Sequence, residues 1–289
     1  MKAGFVNIFG KPNAGKSTLL NGLIGEKLAI VSPKVQTTRH RIKGFLTKPG
    51  EYQVIFSDTP GIIQPKYKMQ EKMMVQVKTA LEDADIGLLI ADIHENMQEN
   101  NELFSALKLK VPCIVVLNKI DSANAKKINA AESFYSSQAY CKKLVKISAL
   151  QQTGFTELIN EIIEILPESE PFYPEDDLTD LNTKFFAGEL IREKIYQLCG
   201  DEVPYHSAVI INEFKEKQTL TAIQADIIVN RESQKGILLG ERGQMIKKLG
   251  TLAREDIEKF IGQKVFLQLF VKVKPKWREN ELQLKEYGY

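Results

Sequence analysis

The chain has 289 residues, 43% hydrophobic and 26% charged, with a formal net charge of +2; that is ordinary globular composition, long enough for two separate cores and too balanced to name a partner. Cys113, Cys141 and Cys199 are odd in number, far apart and without zinc spacing, which excludes a disulfide scaffold and suits reduced thiols in a cytoplasmic protein. No apolar run approaches the ~18 residues of a membrane span, and the first ten residues run straight into a strand with no signal peptide left over.

From Phe5 to Ile165 short apolar runs alternate with amphipathic ones. Phe5–Phe9, Gln53–Ser57, Ile86–Asp92, Cys113–Asn118 and Leu144–Ser148 are β-branched and about five residues long, as buried strands of a parallel sheet are. Helices are expected over Lys16–Ile24, Gln70–Ala80, Asn100–Lys108, Ala125–Ala139 and Phe155–Ile165, and Ile42–Thr47 with Gln53–Ser57 reads as an antiparallel edge hairpin. This repetition predicts an α/β, doubly wound and mostly parallel sheet over residues 1–166. Residues 167–180 carry Pro167, Pro171 and Pro174 among Glu168, Glu170, Glu175, Asp176, Asp177 and Asp180, with no base; they read as an acidic proline-containing linker. From 181 to 289 the order changes to a helix at Lys184–Leu198, strands at Ser207–Phe214 and Leu220–Val229, two helical pieces between Lys235 and Ile261, and a strand at Val265–Val273. That is a smaller α+β domain.

Gly10-Lys11-Pro12-Asn13-Ala14-Gly15-Lys16-Ser17 is a phosphate loop between a strand and a helix, with Thr18 directly behind it. Its glycines let successive N–H groups face phosphate oxygens, and the helix start adds positive potential. Lys16 suits the β- and γ-phosphates, and the Ser17 hydroxyl suits Mg²⁺. Asp58-Thr59-Pro60-Gly61 follows a strand, where the carboxylate reaches the Mg²⁺ shell through water and the Gly61 N–H meets the γ-phosphate. In Asn118-Lys119-Ile120-Asp121 the Asp121 carboxylate accepts from the N1–H and 2-amino group of guanine, Asn118 suits the other edge of the base, and the Lys119 stem covers its face. Ser148-Ala149-Leu150 offers the Ala149 N–H to guanine O6. Together these select GTP and GDP over adenine nucleotides.

The four ordered segments resemble the motifs of translation-factor-type GTPases. The resemblance implies that Thr38, in Thr37-Thr38-Arg39, completes the Mg²⁺ shell, so that Lys16, Thr38, Asp58 and Gly61 carry catalysis. Where many GTPases have a water-orienting glutamine, this chain has Ile62, which implies slow intrinsic turnover. Asn13 is similar to the residue that helps bind K⁺ in GTPases with an apolar residue at that place.

Farther on, Gly240-Glu241-Arg242-Gly243 sits between two helical pieces with Lys247 and Lys248 nearby. Such a loop lets a nucleic-acid backbone approach two helix ends. The α-β-β-α-α-β order resembles a type II KH domain, although Glu241 is acidic where a base is common. The basic run Lys272–Arg278 with Trp277 reads equally as a further phosphate-contacting or base-stacking tail and as a solvated one.

Taken in order, these domains resemble the Era family of bacterial ribosome-assembly GTPases. The resemblance implies a monomer that binds small-subunit ribosomal RNA near its 3′ end, acts on maturation of the small ribosomal subunit, and touches the inner face of the cell membrane peripherally. A membrane-surface GTPase and a tRNA-directed GTPase are the alternative readings.

Overall fold

The computed structural model describes residues 1–200 and 202–289. It divides into two units: Met1–Ala29 with Thr38–Gln64 and Met73–Asp180, and Ile30–Thr37 with Pro65–Lys72 and Leu181–Tyr289.

In the first unit, strands β1 (Lys2–Phe9), β2 (Ile42–Lys48), β3 (Tyr52–Asp58), β4 (Ile86–Asp92), β5 (Cys113–Asn118) and β6 (Cys141–Lys146) form one sheet in the order β2-β3-β1-β4-β5-β6. Only β2 runs antiparallel to its neighbour. The central strands are buried throughout, which is why they read as unbroken apolar runs. Helices α1 (Lys16–Ile24), α2 (Lys68–Glu82), α3 (Met97–Ala106), α4 (Ala125–Ser136) and α5 (Phe155–Ile165) connect them. The sheet order reverses beside β1, and ligands of open α/β sheets bind at the carboxyl ends of strands around such a point.

Several boundaries differ from the sequence expectation, α3 and β6 among them for local reasons. Helix α3 starts three residues early because the Asn96 side chain accepts from the Gln98 and Glu99 amides and so caps it there. Strand β6 starts at Cys141 despite Lys142 and Lys143. As an edge strand it lets Lys143 reach Glu161 at 2.8 Å and Lys146 reach Glu132 at 2.9 Å.

The acidic segment 167–180 is a strap on this unit. The Ala3 N–H donates to Pro167 O. The buried Gln53 side chain accepts from the Phe172 and Tyr173 amides and donates to Tyr173 O. Tyr173 stacks on Phe45 with centroids 4.0 Å apart, and the Phe45 amide of edge strand β2 donates to Leu178 O at 2.8 Å. Its two aromatic residues and Gln53 outweigh the acids, whose side chains stay mostly in water.

In the second unit, α6 (Thr183–Leu198), α7 (Glu232–Leu239) and α8 (Gln244–Ile261) accompany a three-stranded sheet of β7 (Ala208–Glu216), β8 (Leu220–Val229) and β9 (Lys264–Val273) in that order. Strands β7 and β8 pair antiparallel, β8 and β9 parallel. Its core joins Ile191, Ile195, Ile223, Ile227, Leu249 and Ile257. The short helix α9 (Glu281–Glu286) closes the chain.

Trp277 is fully buried, donates its indole N–H to His206 O at 3.0 Å and packs near Tyr287 and Tyr289. The expectation that this tryptophan stacks on a base is therefore corrected: an indole that anchors the C-terminal segment presents no face to a nucleobase.

Two segments of the first half of the sequence, Ile30–Thr37 and Pro65–Lys72 with the start of α2, belong to this unit. The Lys34 ammonium donates to the Tyr196 and Cys199 carbonyls at 2.8 and 2.5 Å, where the helix dipole favours a cation at the end of α6. The Tyr196 hydroxyl donates to Gln36 O at 2.9 Å, and the Arg192 guanidinium to Thr37 O at 2.5 Å. The Arg278 guanidinium lies over the Tyr67 ring, 4.3 Å from its centroid.

Candidate nucleotide and RNA sites

The phosphate loop joins β1 to α1 by a path only its glycines can follow. Gly15 has φ 102°, and a Cβ there would stand 2.1 Å from the Asn118 Nδ2. A Cβ on Gly10 would stand 2.6 Å from Ile90 O, and one on Gly61 would stand 2.8 Å from Pro12. The Ile90 backbone, the Asn118 side chain and Gly61 are thus packed close around the loop. Inside it, the Lys16 ammonium is buried and donates to Gly10 O at 3.2 Å and Lys11 O at 2.8 Å. Burial lowers the Lys16 pKa, and Asp58 and Glu95 work against that shift.

At the mouth of the loop three oxygens meet. The Ser17 hydroxyl donates to Asp58 Oδ2 at 2.6 Å, Thr38 Oγ1 donates to the same oxygen at 3.0 Å, and the two hydroxyls are 2.9 Å apart. Burial raises the Asp58 pKa, while Lys16, Ser17 and Thr38 pull it down. The other Asp58 oxygen, Oδ1, is buried with no hydrogen-bond partner. A carboxylate and two hydroxyls with an unsatisfied buried lone pair fit a small hard cation such as Mg²⁺ and its waters. Behind them the Thr59 hydroxyl donates to Ile8 O at 2.7 Å, Pro60 is buried, and the Ile62 amide donates to Gly10 O. The Ile62 side chain packs against the core made by Phe9, Leu89 and Leu117, so it cannot orient water.

On the base side, Asn118 ties three segments together. Its Nδ2 donates to Ala14 O at 2.8 Å, and its Oδ1 accepts from the Lys119 and Ala149 amides. The sequence reading gave Asn118 and the Ala149 N–H to the base; here each also serves the other. Lys119 adopts φ 65° and leads into a single turn that carries Asp121, exposed to solvent. Its ammonium donates to Asn13 O at 3.0 Å and pairs with Asp92 at 2.5 Å. Asn13 has φ 64°. The Ser148 hydroxyl accepts from the Gln151 amide, and Leu150 is 80% exposed beside it. Thr18 lies half-buried in the first turn of α1. Sequence reading missed Asp92, although an acid ending a strand between two motif strands was a signal.

In the second unit, Gly240 and Gly243 have φ of 68° and 77°, and Arg242 between them has φ 50°. A Cβ on Gly240 would meet Met245 at 2.7 Å, whereas Gly243 has open space around it. Only backbone conformation demands glycine at the second position. Glu241, Arg242, Lys247 and Lys248 are all exposed on the loop and the first turns of α8, so the three bases among them are open to a nucleic-acid backbone.

A phosphate loop, a hydroxyl–carboxylate cluster and an Asn-Lys-x-Asp turn at the strand ends of this sheet, with a Gly-x-x-Gly helical pair in a separate α+β unit, define a P-loop GTPase joined to a KH domain. The model of the family described as 50S ribosome-binding GTPase matches residues 5–119, and that of the KH domain matches residues 202–278. The chain is 41% identical to GTPase Era of Carboxydothermus hydrogenoformans, covering 100% of this chain and 98% of that one. It is 42% identical to GTPase Era of Clostridium kluyveri, covering 100% and 99%. A crystal structure of Era in complex with MgGDPNP and nucleotides 1506–1542 of 16S ribosomal RNA superposes with TM-score 0.96 at 41% identity, covering 100% of this chain and 99% of that one. The chain belongs to the Era family of GTPases. Among the described residues no helix is long and apolar enough to cross a membrane.

Proposed function

We propose that this chain is a GTP-binding and GTP-hydrolysing switch that binds small-subunit ribosomal RNA and assists assembly and maturation of the small ribosomal subunit. The meeting of Ser17, Thr38 and Asp58 beside Lys16 carries the nucleotide part. The likeness over the full length to an Era that was crystallised with MgGDPNP and 16S ribosomal RNA supports the rest. Residues 1–166 act as the GTPase domain, 167–180 as its acidic strap, and 181–289 as the KH-like RNA-binding domain.

Lys16 and the loop amides hold the β- and γ-phosphates, and Gly61 N–H faces the γ-phosphate. Ser17 and Thr38 hold Mg²⁺ directly and Asp58 through water; when bound, the ion neutralises charge that develops between those phosphates. Asn118, Lys119, Asp121 and Ala149 hold guanine, between Ser148 and Leu150. The chain supplies no glutamine after Gly61, so stabilisation rests on fixed donors and turnover in the isolated protein is slow. Asn13 would hold K⁺, whose charge would supply the stabilisation that a cationic finger gives elsewhere. GTP turnover in KCl should then exceed that in matched NaCl by roughly tenfold or more, the upper bound being the ~10³–10⁵ that an arginine finger supplies; equal rates remove K⁺ from the mechanism.

Nucleotide state reaches the RNA domain through Thr38. Its neighbour Thr37 accepts from Arg192, and Gln36 accepts from Tyr196, so the segment before the switch threonine is already bonded to α6. A γ-phosphate that holds Thr38 biases those bonds, and by linkage RNA favours GTP over GDP by the same factor. Calorimetric titration of a small-subunit 3′-end RNA into the GTP-analogue and GDP states should show affinities differing by about fivefold or more. Identical affinities rule out the coupling. Gly243→Asp, which puts a carboxylate on the exposed loop at φ 77°, should remove the RNA heat by repelling phosphate and leave the GTP heat intact; loss of both indicates misfolding. The location proposed is cytoplasmic, with peripheral contact to the inner membrane face. Flotation with anionic vesicles in the presence and absence of RNA checks the latter.

A further inference from the structure

Past the end of β4 the chain reads Asp92-Ile93-His94, and this segment grips the base loop from outside the nucleotide motifs. The Asp92 side chain is 11% exposed, and its Oδ2 lies 2.5 Å from the Lys119 ammonium. Its Oδ1 accepts from the His94 amide at 2.9 Å. The Ile93 amide donates to Asn118 O at 3.1 Å, extending the β4–β5 pairing past its last register pair, Asp92 and Asn118.

His94 makes a second grip, and chemistry fixes its direction. The Lys127 ammonium lies 3.2 Å from His94 Nδ1, and an ammonium can only donate. Nδ1 is therefore the acceptor and Nε2 carries the proton. Nε2–H donates to Ser122 Oγ at 2.7 Å, and the Ser122 hydroxyl donates to Lys119 O at 2.8 Å. Every donor and acceptor in this chain has one consistent role. Lys119 is thus held at its ammonium by Asp92 and at its carbonyl by Ser122, while its backbone sits in the left-handed region at φ 65°, which a long side chain occupies only at a cost in free energy.

We infer that Asp92 and His94 are positioning residues of the guanine site: together they hold Lys119 with its ammonium against the phosphate loop at Asn13 and its stem laid flat as one wall of the base pocket. The inference rests on the reading that Lys119 covers the purine. Without the Asp92 charge the ammonium keeps only Asn13 O, the stem gains rotamer freedom, and ordering it again is charged against nucleotide binding. The wall faces the base and not the phosphates, so the loss is common to nucleotides that differ only in phosphate number.

Dissociation constants for GDP and a non-hydrolysable GTP analogue test this in four proteins: wild type, Asp92→Asn, Lys119→Met and the double variant. Asp92→Asn is isosteric and keeps an acceptor for the His94 amide. It should weaken both nucleotides by a similar factor of roughly ten, the scale of losing one charge-assisted contact. In the Lys119→Met background the same change should have almost no further effect, because Asp92 acts through that ammonium. Equal losses in both backgrounds, or a loss confined to the triphosphate, overturn the inference. If Lys119→Met itself leaves affinity unchanged, the reading of the base site fails instead. Should Asp92→Asn not fold, Ser122→Ala removes the hydroxyl that links His94 to the Lys119 carbonyl and leaves the Ser122 amide bond to that carbonyl in place. It should raise the GDP dissociation rate severalfold, and an unchanged rate overturns the His94 half of the inference.

Discussion

Lys16→Ala should eliminate measurable GTP and GDP binding while the fold persists. The ammonium is buried, and its partners are the Gly10 and Lys11 carbonyls of the loop it serves. With nucleotide bound it exchanges those neutral acceptors for phosphate oxygens. Charge-assisted hydrogen bonds to ionised groups contribute about 1.5–3 kcal/mol each. Two such bonds correspond to roughly 10²–10⁴ in affinity. The fold itself should tolerate the change, because burial already disfavours the charged lysine, lowering its pKa, and a buried cation contributes little net stability. Calorimetry with magnesium present and a thermal melt of the nucleotide-free variant separate the two effects. A variant that binds GTP within tenfold of wild type removes Lys16 from the phosphate site.

What could be read from the sequence divides along a physical line. Strands buried on both faces, β4 and β5 above all, carry their identity in composition, because every residue before their polar last ones, Asp92 and Asn118, is apolar. The phosphate loop is legible for a related reason. Its glycines Gly10 and Gly15 answer to close approaches of the Ile90 carbonyl and the Asn118 side chain, which leave no room for a Cβ. The partners of motif residues were not legible. Asp92 is an ordinary acid until β4 and β5 pair in register, and then it faces Lys119. Gln53 gives no hint that it will bind the backbone of Phe172 and Tyr173, more than a hundred residues later. Neither a base-stacking nor a solvated Trp277 fits: its basic neighbourhood of Lys274, Lys276 and Arg278 suggests nucleic acid or water, whereas the ring answers to His206, Tyr287 and Tyr289. Nor does any local pattern tell that Lys34 caps α6, since the helix end that attracts it lies far along the chain.

Asp121→Asn should invert the choice of purine. Guanine presents two donors side by side, N1–H and the 2-amino group, and a carboxylate answers with two acceptors. Asparagine keeps one acceptor and turns an N–H₂ toward a donor, so one hydrogen bond is lost and a donor–donor contact replaces it. Sites built to pair a polar edge reject a mismatched analogue by about 10⁴-fold or more. The same argument in reverse gives a gain. Xanthine carries a 2-oxo group in place of the 2-amino group, and the asparagine N–H₂ is its natural donor. The substitution should cost little elsewhere, because Asp121 is exposed on its turn and the loop geometry is set by the Ser122 amide bonding to Lys119 O, the Ile120 amide bonding to Ile147 O and the Asn118 side chain. GTP affinity should therefore fall by roughly three to four orders of magnitude, XTP affinity should rise to exceed it, and ATP should stay unbound because adenine matches neither side chain. Competition against a fluorescent nucleotide with GTP, XTP and ATP reads all three. If GTP keeps its affinity, another group selects the base; if all three nucleotides weaken together, the turn has lost its shape and the carboxylate was structural.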